Sequence, residues 1–159
     1  MQFPATELVL DANGAVYHLG LQPQQLASKI ILVGDQDRVA KISRFFDTVE
    51  YSVQHREFVS HTGTFQGKRL TVLSTGIGTD NIDICMAELD ALVNIDLTTR
   101  TEKAIKSSLE IVRIGTCGML QADMKLHSYV LSSHALGLDN IAHFYPINWT
   151  QEEKKLLTQ

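Results

Sequence analysis

At 159 residues and 44% hydrophobic content the chain can bury one core and reads as a single domain over residues 1–159. A formal net charge of -4 argues against a general nucleic-acid binder, and two cysteines without paired spacing, Cys85 and Cys117, argue against a disulfide framework or a zinc motif. No apolar run is long enough for a bilayer, no signal-peptide pattern opens the chain, and no repeat interrupts it, so a cytoplasmic location is expected.

Residues 1–15 show no sustained period, and Ala12-Asn13-Gly14 reads as a turn. Val16-Tyr-His-Leu-Gly-Leu21 is short enough for an edge strand or an extended arm. Its lone histidine, His18, is of a kind more often satisfied locally or solvated than catalytic. Lys29-Ile-Ile-Leu-Val33 predicts a central strand covered on both faces. It stops at Gly34, an Asp before the following pattern offers an N-cap, and Val39, Ile42 and Phe45 recur at helical spacing. Arg38 falls in the first turn, where the helix dipole disfavours a cation unless an anion joins it. A solvated arginine is the alternative.

Two β segments, 49–58 and 58–65, lead through the Gln66-Gly67 hairpin signal into a third over 68–73. Arg56 and Glu57, adjacent in a strand, would point to opposite faces. Either one of them has a specific partner, or the strand is an edge and both are solvated. Ser74-Thr-Gly-Ile-Gly-Thr-Asp-Asn81 is a strand-to-helix turn, and the helix after it places Ile82, Met86, Leu89 and Val93 on one face with Cys85 and Leu92 beside them. A dinucleotide fingerprint needs a third glycine where Asn81 stands, so a nucleotide-cofactor oxidoreductase rests on Gly76 and Gly78 alone. Residues 94–108 are largely polar and predict a surface excursion.

Leu109-Glu-Ile-Val-Arg-Ile-Gly-Thr-Cys-Gly118 is the stretch on which the rest converges. Ile111, Val112 and Ile114 predict a buried strand, and a guanidinium inside an apolar layer must meet an anion. That anion is either a structural carboxylate or a ligand, which Gly115 and Gly118 would admit close to the backbone. Ser128–Ser133 reads as one more strand, and Thr150 as the cap of a helix still running where the sequence stops.

Three glycine-interrupted strand ends and three arginines together point to phosphate. With His18-Leu-Gly-Leu21, Gly34-Asp-Gln-Asp-Arg38, His55-Arg-Glu-Phe58, Ser74-Thr-Gly-Ile-Gly78 and Arg113-Ile-Gly-Thr-Cys-Gly118 in this order, the chain resembles the nucleoside phosphorylase family, most of all its uridine-cleaving branch. The resemblance implies an α/β domain with a mixed central sheet flanked by helices, continuing beyond Gln159. It implies phosphorolysis of a nucleoside to free base and ribose 1-phosphate. Gly34, Arg38, Arg113 and Thr116 would bind phosphate, and Thr116 would also reach ribose. Arg56 would complete a neighbouring subunit's phosphate site, and His18 would reach that neighbour's ribose. Cys117 and Gly118 would lie near the base. Phosphate would be a co-substrate and no organic cofactor would be needed. Glu57 and Ile77 match positions that hold a monovalent cation between subunits in some members, although Asn81 stands where those members have serine.

The residue types suit that chemistry. Arginines orient phosphate bidentately beneath a sugar carbon that gains positive charge, so positioning carries much of the catalysis. The segment with which family members recognise the base and grip the ribose is not in this sequence. A catalytically inactive phosphate or nucleoside binding fragment, and a purine-specific phosphorylase, therefore stay open as alternatives.

Overall fold

The computed structural model describes residues 2–156, which fall into two compact units divided between Cys117 and Gly118. The first is built on a five-stranded mixed sheet. Its strands are β1 (Lys29–Val33), β2 (Thr48–His55), β3 (Phe58–Phe65), β4 (Lys68–Ser74) and, after a two-stranded ladder of β5 (Ile95–Asp96) and β6 (Thr101–Glu102), β7 (Glu110–Arg113). The five lie in the order β2-β3-β4-β1-β7. β2, β3 and β4 form an antiparallel meander, whereas β4, β1 and β7 run parallel.

After Lys29 the strand is apolar, Ile30–Val33, because both of its faces are covered. Ile30 and Leu32 join Leu19, Leu21, Phe58, Leu73, Leu89 and Leu92 in the main core, beneath helix α2 (Thr79–Asn94). On the other face Val33 packs with Val72 and with Val39 of helix α1 (Asp37–Ser43). Each fully buried aliphatic side chain contributes about 1.5–3 kcal/mol. Polar groups inside this core are paired: Thr62 donates to the Gln25 carbonyl at 2.6 Å, and the Ala27 amide donates to Thr71 Oγ1 at 2.9 Å.

Several expectations need correction. Residues 16–21 form neither an edge strand nor an arm. After a single bridge between Leu10 and Val16 they turn back, with Val16, Leu19 and Leu21 buried. Arg56 and Glu57 are not strand residues but the two-residue connection between β2 and β3, with Arg56 at φ 53. No glycine or asparagine marks that turn, so composition concealed it. Helix α2 buries Cys85, Leu89 and Leu92, while Met86 is exposed, so its inner face is turned by about one residue from the expected one. The polar stretch 94–108 carries the β5–β6 ladder, with Ile95 and Leu97 buried.

β7 departs most from expectation. It is the outer strand of the sheet, with Val112 61% exposed and Arg113 exposed as well. A β-branched run marks strand, but it does not distinguish a strand covered on both sides from one covered on a single side, as here, where Ile111 packs against the main core and Val112 faces outward.

The second unit is mostly irregular, with a 3-10 turn at Ile141–Phe144 and helix α3 (Gln151–Leu156). The expected strand at 128–133 is absent; no partner pairs with it among the described residues, and a strand without a partner leaves its backbone groups unpaired. Thr150 does cap α3 as expected. Its Oγ1 accepts the Glu153 amide at 3.2 Å, and its own amide donates to Glu153 Oε2 at 2.7 Å, a reciprocal capping box.

Candidate active site

The parallel arrangement of β4, β1 and β7 brings three chain breaks side by side at the carboxyl ends of the strands, where open α/β sheets place their ligands. Gly34 follows Val33 directly, Gly76 lies two residues beyond β4, and Gly115 two beyond β7. The ladders extend past the strands, since the Thr75 amide donates to the Val33 carbonyl and the Ile114 amide to the Leu32 carbonyl, both at 2.8 Å. Together the ends enclose a cleft of about 580 Å³ whose lining includes Gly34, Arg38, Gly76, Arg113, Gly115 and Thr116.

Two guanidinium groups enter it. Arg38 is half-buried in the first turn of α1, and its Nη2 donates to Thr116 Oγ1 at 3.3 Å. Arg113 folds over the glycines: a methyl group on Gly34 would lie 3.6 Å from its Nη2, and one on Gly115 only 2.8 Å from its Nη1. Glycine is what lets the guanidinium lie along the backbone here. Neither arginine forms an ion pair with a carboxylate among the described residues. Two cations facing one cleft, with hydroxyl and amide groups around them, attract an anion.

Acidic groups also border the cleft. Asp35 Oδ1 accepts the Asp37 amide at 3.0 Å, so it organises the start of α1 although the N-cap position itself is Gln36. Glu57 and Ile77 line the cleft too. Glu57 is anchored through its carbonyl, which accepts from Ser74 Oγ at 3.0 Å. The Ile77 carbonyl is 3.5 Å from Asn81 Nδ2, so one of the oxygens expected to hold a cation already accepts a hydrogen bond.

Other expected site residues stand elsewhere. Arg56 does not line this cleft; its Nη2 donates to the Tyr17 hydroxyl at 3.2 Å and its guanidinium covers the Tyr17 ring at 5.3 Å. His18 joins the same cluster, edge-on to Tyr17 at 5.2 Å and paired through Nδ1 with Glu88 at 2.7 Å. Cys117 is exposed and outside the cleft lining, and Gly118 opens the second unit.

Three participants were missed. Gln36 lines the cleft and donates to the Arg56 carbonyl at 3.3 Å, linking cleft and hairpin turn. Tyr17 holds Arg56, and Glu88 holds His18. Glu88 carried one signal, an acidic residue set between Cys85 and Leu89 on the buried side of α2.

A family model of the phosphorylase superfamily matches residues 28–153. The chain belongs to that superfamily. It is 28% identical over 144 residues to a uridine phosphorylase of Thermococcus kodakarensis, covering 91% of this chain and 47% of the relative. It is 33% identical to one of Haemophilus influenzae, over 84% of this chain and 49% of the relative. A DeoD-type purine nucleoside phosphorylase of Geobacillus stearothermophilus is 31% identical, over 72% and 44% respectively. Among solved structures, a Trypanosoma brucei nucleoside phosphorylase described as showing uridine phosphorylase activity aligns with a TM-score of 0.87 at 30% identity. That alignment covers 95% of this chain and 52% of the other. The chain spans about half the length of the curated relatives it matches. As a phosphorylase-superfamily chain it carries the mixed sheet flanked by helices that the resemblance implied. No helix among the described residues is long and apolar enough to cross a membrane.

Proposed function

We propose that the protein cleaves a nucleoside, uridine in preference, with inorganic phosphate, releasing the base and ribose 1-phosphate. The observation that carries this is the pair of guanidinium groups, Arg38 and Arg113, that face one glycine-lined cleft without a carboxylate partner among the described residues. Phosphate between them is oriented by charge-assisted hydrogen bonds worth about 1.5–3 kcal/mol each, and the close approach of Gly34 leaves room for its oxygens. Thr116, held by Arg38, offers its hydroxyl to phosphate and ribose. As the bond from sugar to base lengthens, the phosphate's negative charge stabilises the developing cation and its oxygen attacks the anomeric carbon.

Arg56 and His18, on their own surface cluster away from the cleft lining, serve the site of a second copy, so the working form is a homo-oligomer with shared sites in the cytoplasm. A monovalent cation held between subunits by Glu57 and Ile77 would compete with Asn81 Nδ2 for the Ile77 carbonyl. No organic cofactor is needed.

The test is base release from uridine and from inosine, with and without phosphate. Phosphate-dependent release of uracil, with ribose 1-phosphate as co-product, is expected. Release without phosphate, giving free ribose, would show hydrolysis and overturn the proposal.

A further inference from the structure

Glu88 rises from the middle of α2 with its side chain only 14% exposed, and its carboxylate is occupied by the turn that carries His18. Oε1 accepts the His18 amide at 2.9 Å and faces the ring Nδ1 at 2.7 Å. Oε2 accepts the Leu19 amide at 2.8 Å and lies 3.1 Å from the His18 amide. A carboxylate has no proton to donate, so the ring nitrogen facing it must carry the hydrogen. A bare Nδ1 lone pair at that distance from a carboxylate oxygen would be repelled. In the neutral ring Nε2 is then an unprotonated acceptor, and it has no hydrogen-bond partner among the described residues. The ring is steadied as well as polarised. His55 Nδ1 lies 3.1 Å from the His18 carbonyl, and the Tyr17 ring packs edge-on at 5.2 Å. Shelter for the carboxylate and a 33% exposed imidazole give a fixed acceptor presented at the surface.

We infer that Glu88 is a positioning residue that holds His18 in the Nδ1–H tautomer, so that Nε2 accepts a hydrogen bond from a hydroxyl of the ligand. This rests on the function proposed above, in which that hydroxyl belongs to the ribose bound by a second copy. An alcohol can both donate and accept, but a ring nitrogen held in one tautomer selects which it does. The geometry of the pair therefore decides the polarity of the contact, and not only its place.

Glu88→Gln tests this without removing the side chain. An amide oxygen can satisfy the His18 and Leu19 amides together only if the amide nitrogen turns toward Nδ1. The ring must then move its proton to Nε2: the contacts on the Oε2 side, to the Leu19 amide and the longer one to the His18 amide, survive, the 2.9 Å contact to the His18 amide is lost, and the ring's polarity inverts. The experiment is long-range proton–nitrogen NMR of the ring nitrogens in the full chain, at a pH where the imidazole is neutral. Protonation at Nδ1 in the wild type and at Nε2 in Glu88→Gln is expected. Protonation at Nε2 in the wild type overturns the inference even if the variant does not fold, and the same tautomer in both proteins overturns it as well. The second arm is kinetic. The variant should raise KM for the intact nucleoside about tenfold, as loss of one hydrogen bond does, with kcat little changed. That difference should vanish on an analogue lacking the contacted ribose hydroxyl. Equal KM values on every analogue overturn the hydroxyl contact. A wild type that cleaves no nucleoside overturns the proposed function instead, and the tautomer then decides the role of Glu88 by itself.

Discussion

Arg38 Nη2 and Thr116 Oγ1 meet at 3.3 Å, joining the first turn of α1 to the loop beyond β7. This contact makes two separate strand ends into one wall of a cleft. It also changes the relative standing of the arginines. Burial would have made Arg113 the stronger anion ligand, but Arg113 is exposed on an outer strand and Arg38 is the half-buried one. A guanidinium sheltered from water gains more from a charged partner than one fully solvated.

Gly63 in β3 is fixed by its neighbours more severely than any cleft glycine. A methyl group there would lie 2.0 Å from the Thr48 carbonyl oxygen and 2.9 Å from the Phe46 ring, and the oxygen is backbone that cannot swing aside. Gly63→Ala should lower stability by about 3 kcal/mol. Gly67→Ala, in open space at φ 73, should lose only the turn preference, about 1 kcal/mol. Denaturant midpoints of the two variants check the order.

His61 supplies a pH dependence. Its Nδ1 lies 2.7 Å from Ser43 Oγ, and burial holds its pKa below the usual 6.5. The unfolded chain then binds the proton more readily, so stability from this group is complete above 6.5 and declines as pH falls from there toward the lowered folded value. Urea midpoints at about pH 8 and about pH 5 should differ in that direction, and His61→Gln should reduce the difference.

How much of this was legible in the sequence depends on what each signal measures. Lys29–Val33 and the Gln66-Gly67 turn were read correctly because a continuous apolar run and a turn-forming pair are local properties. The glycine ends of β1, β4 and β7 were legible as breaks, and parallel pairing brought them together. The burial of Arg113, the turn at Arg56 and the strand at 128–133 were misread, because each depends on what lies opposite the residue. The partners Tyr17 and Glu88 escaped for the same reason: they are 39 and 70 residues from the side chains they hold.

The two cysteines should react in sequence. Burial, with Glu88 nearby, pushes the Cys85 thiol up to about 12, whereas Cys117 is exposed. A thiol reagent at neutral pH should label Cys117 in the folded chain and Cys85 only in denaturant.

The proposed sharing of sites between subunits predicts complementation. Arg56→Ala and Arg38→Ala variants should each lose activity alone. In mixed dimers one of the two sites regains both an intact Arg38 and a partner's intact Arg56, so random mixing should restore about a quarter of wild-type activity. Kinetics on the mixed sample, after exchange of subunits, check this; no recovery would place both arginines in one chain's site.

The most direct measurement is calorimetric titration of inorganic phosphate into the wild-type chain, Arg38→Ala and Arg113→Ala. Saturable binding is predicted in the wild type, weaker by about tenfold to a hundredfold in each variant, and weaker in Arg38→Ala at least as much as in Arg113→Ala. Phosphate binding that both variants retain at wild-type affinity would contradict the placement of phosphate between these two guanidinium groups.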